Sequence, residues 1–174
     1  MNVPLYVASI VLCIIFSAYF SATETAFSSL NKTRLKAMIE KGNQKAELAY
    51  DLSENYDKLI STILIGNNIV NILGASLATL LFVHIYGDIG ATISTAVITV
   101  AVLIFGEISP KSIAKDCPEK FAIFAAPLIA VLIFFCTPLN FIFSMWKKLL
   151  SKLLHLEESA GMSSEELIML VEEV

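Results

Sequence analysis

LISTILIGNNIVNILGASLATLLFV, Leu59–Val83, contains no Asp, Glu, Lys or Arg. A helix crossing the apolar core of a bilayer needs about 20 consecutive apolar residues, and this run supplies them. Three more stretches are equally free of charge: Met1–Thr23, Ile89–Gly106 and Phe121–Trp146. Over the 174 residues, 56% are hydrophobic, 16% are charged, and the mean hydropathy is +0.75. A soluble domain of that size needs far more polar surface to cover its core. The chain therefore reads as an all-α membrane protein rather than a buried soluble bundle.

Basic residues mark the cytoplasmic side of a membrane protein. Lys32, Arg34, Lys36, Lys41, Lys45 and Lys58 put the segment Asn31–Lys58 inside, and Lys111, Lys115 and Lys120 do the same for Lys111–Lys120. The turn Tyr86–Gly90 has no basic residue and belongs outside. Spans are expected over residues 4–30, 59–85 and 89–113, with the N-terminus outside and the C-terminus cytoplasmic. The first lacks a basic leader and an A-x-A cleavage site, so it is expected to be retained. The fourth apolar stretch has lysines at both ends and contains Pro127 and Pro138. It is expected to be a re-entrant or interfacial pair of helices over 121–154, Trp146 and the following lysines anchoring its second part at the inner surface. A full fourth span is the alternative.

Leu35, Met38 and Ile39 recur at helical spacing, so one or two short cytoplasmic helices are expected around Gly42-Asn43. Beyond Glu157 the tail is acidic, and Ser163 with Glu166 forms a capping-box pattern. Residues 1–156 are thus expected to be the membrane domain and 157–174 the start of an acidic helical bundle. Cys13, Cys117 and Cys136 show neither metal-ligand nor disulfide spacing, and His84 and His155 stand alone.

Polar groups inside a span are costly, so each one needs a reason. The first span carries Ser17, Ser21, Thr23 and Glu24. The second carries Gly66-Asn67-Asn68 and Asn71, and the third Gly106-Glu107 followed by Ser109-Pro110-Lys111. Counting about 1.5 Å per residue from the inner ends places Ser21 at roughly 15 Å, Asn67 at roughly 13 Å and Glu107 at roughly 12 Å. Three helices put their least lipid-compatible groups at one level. Asn67 and Asn71 share a helix face, while Asn68 points elsewhere. Pro110 has no N–H to give the carbonyl of Gly106, four residues back. These donors are all oxygens, which suit hard cations such as Mg²⁺, Na⁺ or Ca²⁺; zinc or copper would call for His and Cys. The plainer readings are interhelical hydrogen bonds for the serines and asparagines, an ion pair with Lys111 for Glu107, and a solvated helix end for Glu24.

Phe20-Ser21-Ala22-Thr23-Glu24-Thr25-Ala26, Gly66-Asn67-Asn68 with Asn71, and Gly106-Glu107-Ile108-Ser109-Pro110-Lys111 together resemble the DUF21 transmembrane domain of the CorC/CNNM (cyclin M) magnesium transport proteins. The resemblance covers essentially the whole chain. It implies a homodimer in the lipid bilayer of the cell membrane, with three spans per protomer. It also implies Mg²⁺ export driven by Na⁺ entry, and an inward-facing metal site of Ser21, Asn67, Asn71, the Gly106 carbonyl and Glu107. Glu24, Asn68, Pro110 and Lys111 would then have coupling or structural parts. Family members continue into CBS-pair domains that bind nucleotide; no nucleotide site is expected in this chain, and no nucleic-acid partner. An enzyme is not expected, since the sequence has no nucleophile–base pair or phosphate loop. The alternative function is a membrane Mg²⁺ sensor or scaffold regulating another transporter. A channel is disfavoured by the lack of a polar stripe in the outer half of the second and third spans.

Overall fold

The computed structural model describes residues 2–153. The Ser163–Glu166 capping pattern and the acidic tail lie outside the described residues. Helix α1 runs Val3–Ser28, with Pro4 in its first turn, where a missing N–H costs nothing. Two short helices follow, α2 (Lys32–Glu40) and α3 (Gln44–Glu54). Asparagine starts each of them: Asn31 Oδ1 accepts from the N–H groups of Thr33 and Arg34, and Asn43 Oδ1 from those of Lys45 and Ala46. Gly42 makes the turn between them at φ 84°, a backbone region where a side chain would be strained.

Helix α4, Tyr56–Tyr86, is followed by one turn of 3₁₀ helix at Gly87–Ile89 and then by α5, Gly90–Ala101. Gly87 takes φ 65° at the reversal, and α5 folds back along α4. The third pass then departs from regular geometry: Val102–Ile108 is π-helical, and α6, Ser109–Asp116, resumes the α form. Helix α7 begins at Pro118.

Three helical stretches among the described residues are long and apolar enough to cross a membrane: Val3–Ser28, the run Tyr56–Asp116 that reverses at Gly87, and Pro118–Pro138. The chain is an all-α membrane protein. The break expected at Pro127 and Pro138 does not appear in the backbone, which is helical from Pro118 to Leu153. Each proline removes a single backbone hydrogen bond, and an apolar helix can keep its remaining bonds past such a gap.

The compact unit extends to Cys136, and residues 137–153 continue as helix. Within the unit α1 is central, packing against α4, the π-helical stretch and α6. One apolar cluster gathers Phe20, Ala26, Leu35, Ala49, Leu59, Ala114 and Ile129 at the end that carries α2 and α3. A smaller one, Ile10, Ala78 and Leu81, lies toward the opposite end. Alanines recur at zero exposure in the long helices (Ala26, Ala78, Ala114, Ala126), the close backbone approach expected of membrane helices. Tyr19 donates its hydroxyl to the carbonyl of Ala125, tying α1 to α7. Arg34 reaches Glu119 at the start of α7 at 3.6 Å. Lys32 and Glu54 join α2 to α3 at 2.7 Å; this hydrogen bond raises the lysine's pKa and lowers that of the glutamate.

Candidate functional site

Between the two apolar clusters, three glycines bring other helices against α1. A methyl group on Gly74 would lie 3.1 Å from Cys13 Cβ, and one on Gly66 would overlap the Phe20 ring. On Gly106 it would come within 2.9 Å of Ser17 Oγ. Helices α1 and α4 are thus antiparallel, with Cys13 facing Gly74 and Phe20 facing Gly66. At the middle level the π-helical stretch presses its glycine onto Ser17.

Ser17 is fully buried and donates its hydroxyl to Asn67 Oδ1 at 3.1 Å. Asn71 Nδ2 donates to the same oxygen at 3.3 Å. Asn68 turns away, donating to the carbonyl of Leu64 on an exposed face. Ser21 lies one turn from Ser17 on the same face of α1 and is also fully buried. Among the described residues, the buried side-chain polar atoms without a hydrogen-bond partner are Ser21 Oγ and Asn71 Oδ1. Buried polar groups are nearly always satisfied, and leaving one bare costs about 1–3 kcal/mol. Two such oxygens, one on each helix, mark this level of the fold as unusual.

The third pass adds backbone oxygens. In the π register Ser109 N–H donates to the carbonyl of Ile104, five residues back. The carbonyl of Phe105 then has no N–H of its own at either spacing: Ser109 is engaged and Pro110 has none. Gly106 likewise meets Pro110 at the α spacing. The sequence pointed to the Gly106 carbonyl; in the π register it is the Phe105 carbonyl that loses a donor at both spacings. Isolated π turns are frequent at functional sites.

Glu107 follows within this stretch and is half-buried. The ion pair with Lys111 that offered a structural reading of Glu107 is not the one made. Lys111 Nζ instead lies 3.2 Å from Glu24 Oε2, joining α6 to the last turns of α1. Glu107 has no ion pair among the described residues. On the other side of the network, a cavity of about 10 Å³, the size of one water, is lined by Cys13, Asn71, Gly74, Ile98 and Val102, among others. No three His, Cys, Asp or Glu side chains come together among the described residues. A cation held at this level would therefore rest mainly on hydroxyl, amide and carbonyl oxygens.

The structure thus brings Asn67, Asn71 and Gly106 to one place against α1, leaves Asn68 outside it, and sets Glu24 and Lys111 at the α2–α3 end. Equal depth along three helices placed Ser21 opposite Asn67, but the residue that touches both Asn67 and Gly106 is Ser17. The available signal was its position one turn before Ser21, in a helix face that continues through Cys13.

The family model for the cyclin M transmembrane N-terminal domain matches residues 8–174. A UPF0053 protein of Haemophilus influenzae is 38% identical, the match covering 99% of this chain and 42% of that protein. The UPF0053 inner membrane protein YfjD of Escherichia coli K12 is 40% identical, over 90% of this chain and 38% of its own length. A polyamine export protein of E. coli K12 is 25% identical over 78% of this chain and 33% of its length. The chain spans about two-fifths of the first two relatives.

Proposed function

Because the chain belongs to the cyclin M transmembrane domain family, we propose that it carries Mg²⁺ out of the cell in exchange for Na⁺. The observation that carries this reading is the pair of buried oxygens without partners, Ser21 Oγ on α1 and Asn71 Oδ1 on α4. A hard cation seeks such oxygens. Glu107, half-buried and without an ion pair among the described residues, supplies the negative charge. One carboxylate compensates a divalent charge only in part, so the ion is held loosely enough to leave again. Magnesium sheds water reluctantly and takes ligands at about 2.0–2.1 Å, so the serine, amide and carbonyl oxygens must replace its hydration shell closely. The protein works as a homodimer in the cell membrane with α2 and α3 on the cytoplasmic side, where their lysines belong.

Mg²⁺ flux in proteoliposomes, with and without an opposing Na⁺ gradient, tests this. Gradient-dependent flux that disappears in Glu107→Gln is the expected result; Mg²⁺ binding without flux would favour the sensor or scaffold. A second reading comes from the relative named for polyamine export. A polyamine is long and multiply charged, and would need an elongated cavity with spaced carboxylates. Glu107 is the one carboxylate in the stretch Val102–Ile108, which favours a single small cation.

A further inference from the structure

Hydroxyl groups in the helices of this protein have a habit. Thr23, Thr25, Ser28, Thr62, Ser76, Thr79 and Thr95 each donate to the carbonyl four residues back on their own helix. Ser17 departs from it, sending its hydroxyl across to Asn67 Oδ1. That oxygen also accepts from Asn71 Nδ2. An amide oxygen has two lone pairs, and both are thus engaged by N–H and O–H groups. A cation drawing on Asn67 Oδ1 must displace at least one of these donors, since their hydrogens point where the ion would sit.

We infer that Ser17 is a latch on the cation site: its hydroxyl competes with the ion for Asn67 Oδ1 and thereby sets how loosely the ion is held. The inference rests on the reading of this level as a cation site. Ser17 is a positioning residue in this scheme and not a ligand. The Gly106 backbone lies close by, since a methyl placed on that glycine would come 2.9 Å from Ser17 Oγ. The hydroxyl hydrogen itself can turn freely. When a cation takes Asn67 Oδ1, a change of rotamer about χ1 would offer that hydrogen a second acceptor in the carbonyl of Cys13, four residues back, the bond its fellow hydroxyls already make. Asn71 has a different way out, because turning its amide replaces a donor by the oxygen that lacks a partner. Binding therefore exchanges one set of hydrogen bonds for another without stranding the serine.

The latch predicts an increase in affinity on deleting a polar group, which neither a ligand nor a structural contact would give. Calorimetric titration of MgCl₂ into the purified protein is the measurement. Ser17→Ala is expected to bind Mg²⁺ about three- to tenfold more tightly, the range set by the net worth of one hydrogen bond. Ser17→Thr, which keeps the hydroxyl, should return the affinity to that of the parent. Ser17→Cys, of similar size with a weak donor, should fall between and serves if the alanine variant does not fold. Unchanged affinity in Ser17→Ala or Ser17→Cys overturns the latch and leaves the cation site standing. Weakened affinity also overturns it, and makes Ser17 a ligand. If the folded parent protein shows no Mg²⁺ binding, the site reading itself falls and takes the latch with it.

Discussion

Lys111 Nζ sits 3.2 Å from Glu24 Oε2, so the third pass is fastened to the first by charge just beyond the level of Ser17, Asn67 and Gly106. Their side chains are 44% and 29% exposed, which means that water and salt share the interaction. A double-mutant cycle with Glu24→Gln and Lys111→Gln should give a coupling below about 1 kcal/mol in thermal unfolding, shrinking as salt is raised. A coupling of several kcal/mol would mean the pair is buried by something further, such as a second protomer.

Glu107→Gln keeps the shape of the side chain and removes its charge. Mg²⁺ binding by calorimetry should be lost while the unfolding temperature stays within a few degrees. An unaltered affinity would take Glu107 out of the site.

Asn67→Ala and Asn71→Ala should each weaken Mg²⁺ binding by about tenfold or more, the scale of a lost ligand whose partners stay buried. Asn68→Ala, whose amide faces Leu64 on an exposed surface, should change it little. The reverse order would show that the ion sits on another face of α4.

Pro110→Ala restores a backbone N–H beneath the carbonyls of Phe105 and Gly106. The fold should gain stability and Mg²⁺ affinity should fall, because an oxygen offered to the ion acquires a hydrogen bond instead. Higher stability with undiminished affinity would remove those carbonyls from the ligand set.

Gly66→Ala pushes a methyl into the ring of Phe20, which is only 4% exposed and has nowhere to retreat. The expected loss is about 1–3 kcal/mol, the range for overpacking a core. Pairing it with Phe20→Leu should recover part of the loss. No loss in the single variant would show that α1 and α4 are farther apart than the structure has them.

Much of this was legible in the chain because apolar length and helical spacing are local properties. Residues 59–85 and 89–113 anticipated α4 and the third pass within a few residues, and Asn31 and Asn43 begin α2 and α3 as capping chemistry dictates. The division of Asn67 and Asn71 from Asn68 followed from 3.6 residues per turn. Contact across helices was harder to read. Depth counted from the inner ends carries an error of about a turn, and it left the contact of Ser17 with Asn67 unseen. The π register of Val102–Ile108 also escaped, since it depends on how Gly106 packs onto Ser17 as well as on Pro110. The prolines of α7 looked like breaks because sequence reveals a missing N–H and hides the packing that lets a helix pass it.

A π-helical stretch holds one residue more than an α-helix of equal length. Drawing that extra residue out of Val102–Ile108 would swing everything after it by about 100° around the axis, one residue's share of a turn. Lys111 would be carried off Glu24, and Ala114, now fully enclosed, would be wheeled out of its socket. A change of register beside Gly106 would therefore have to undo the fastening at Glu24 as well.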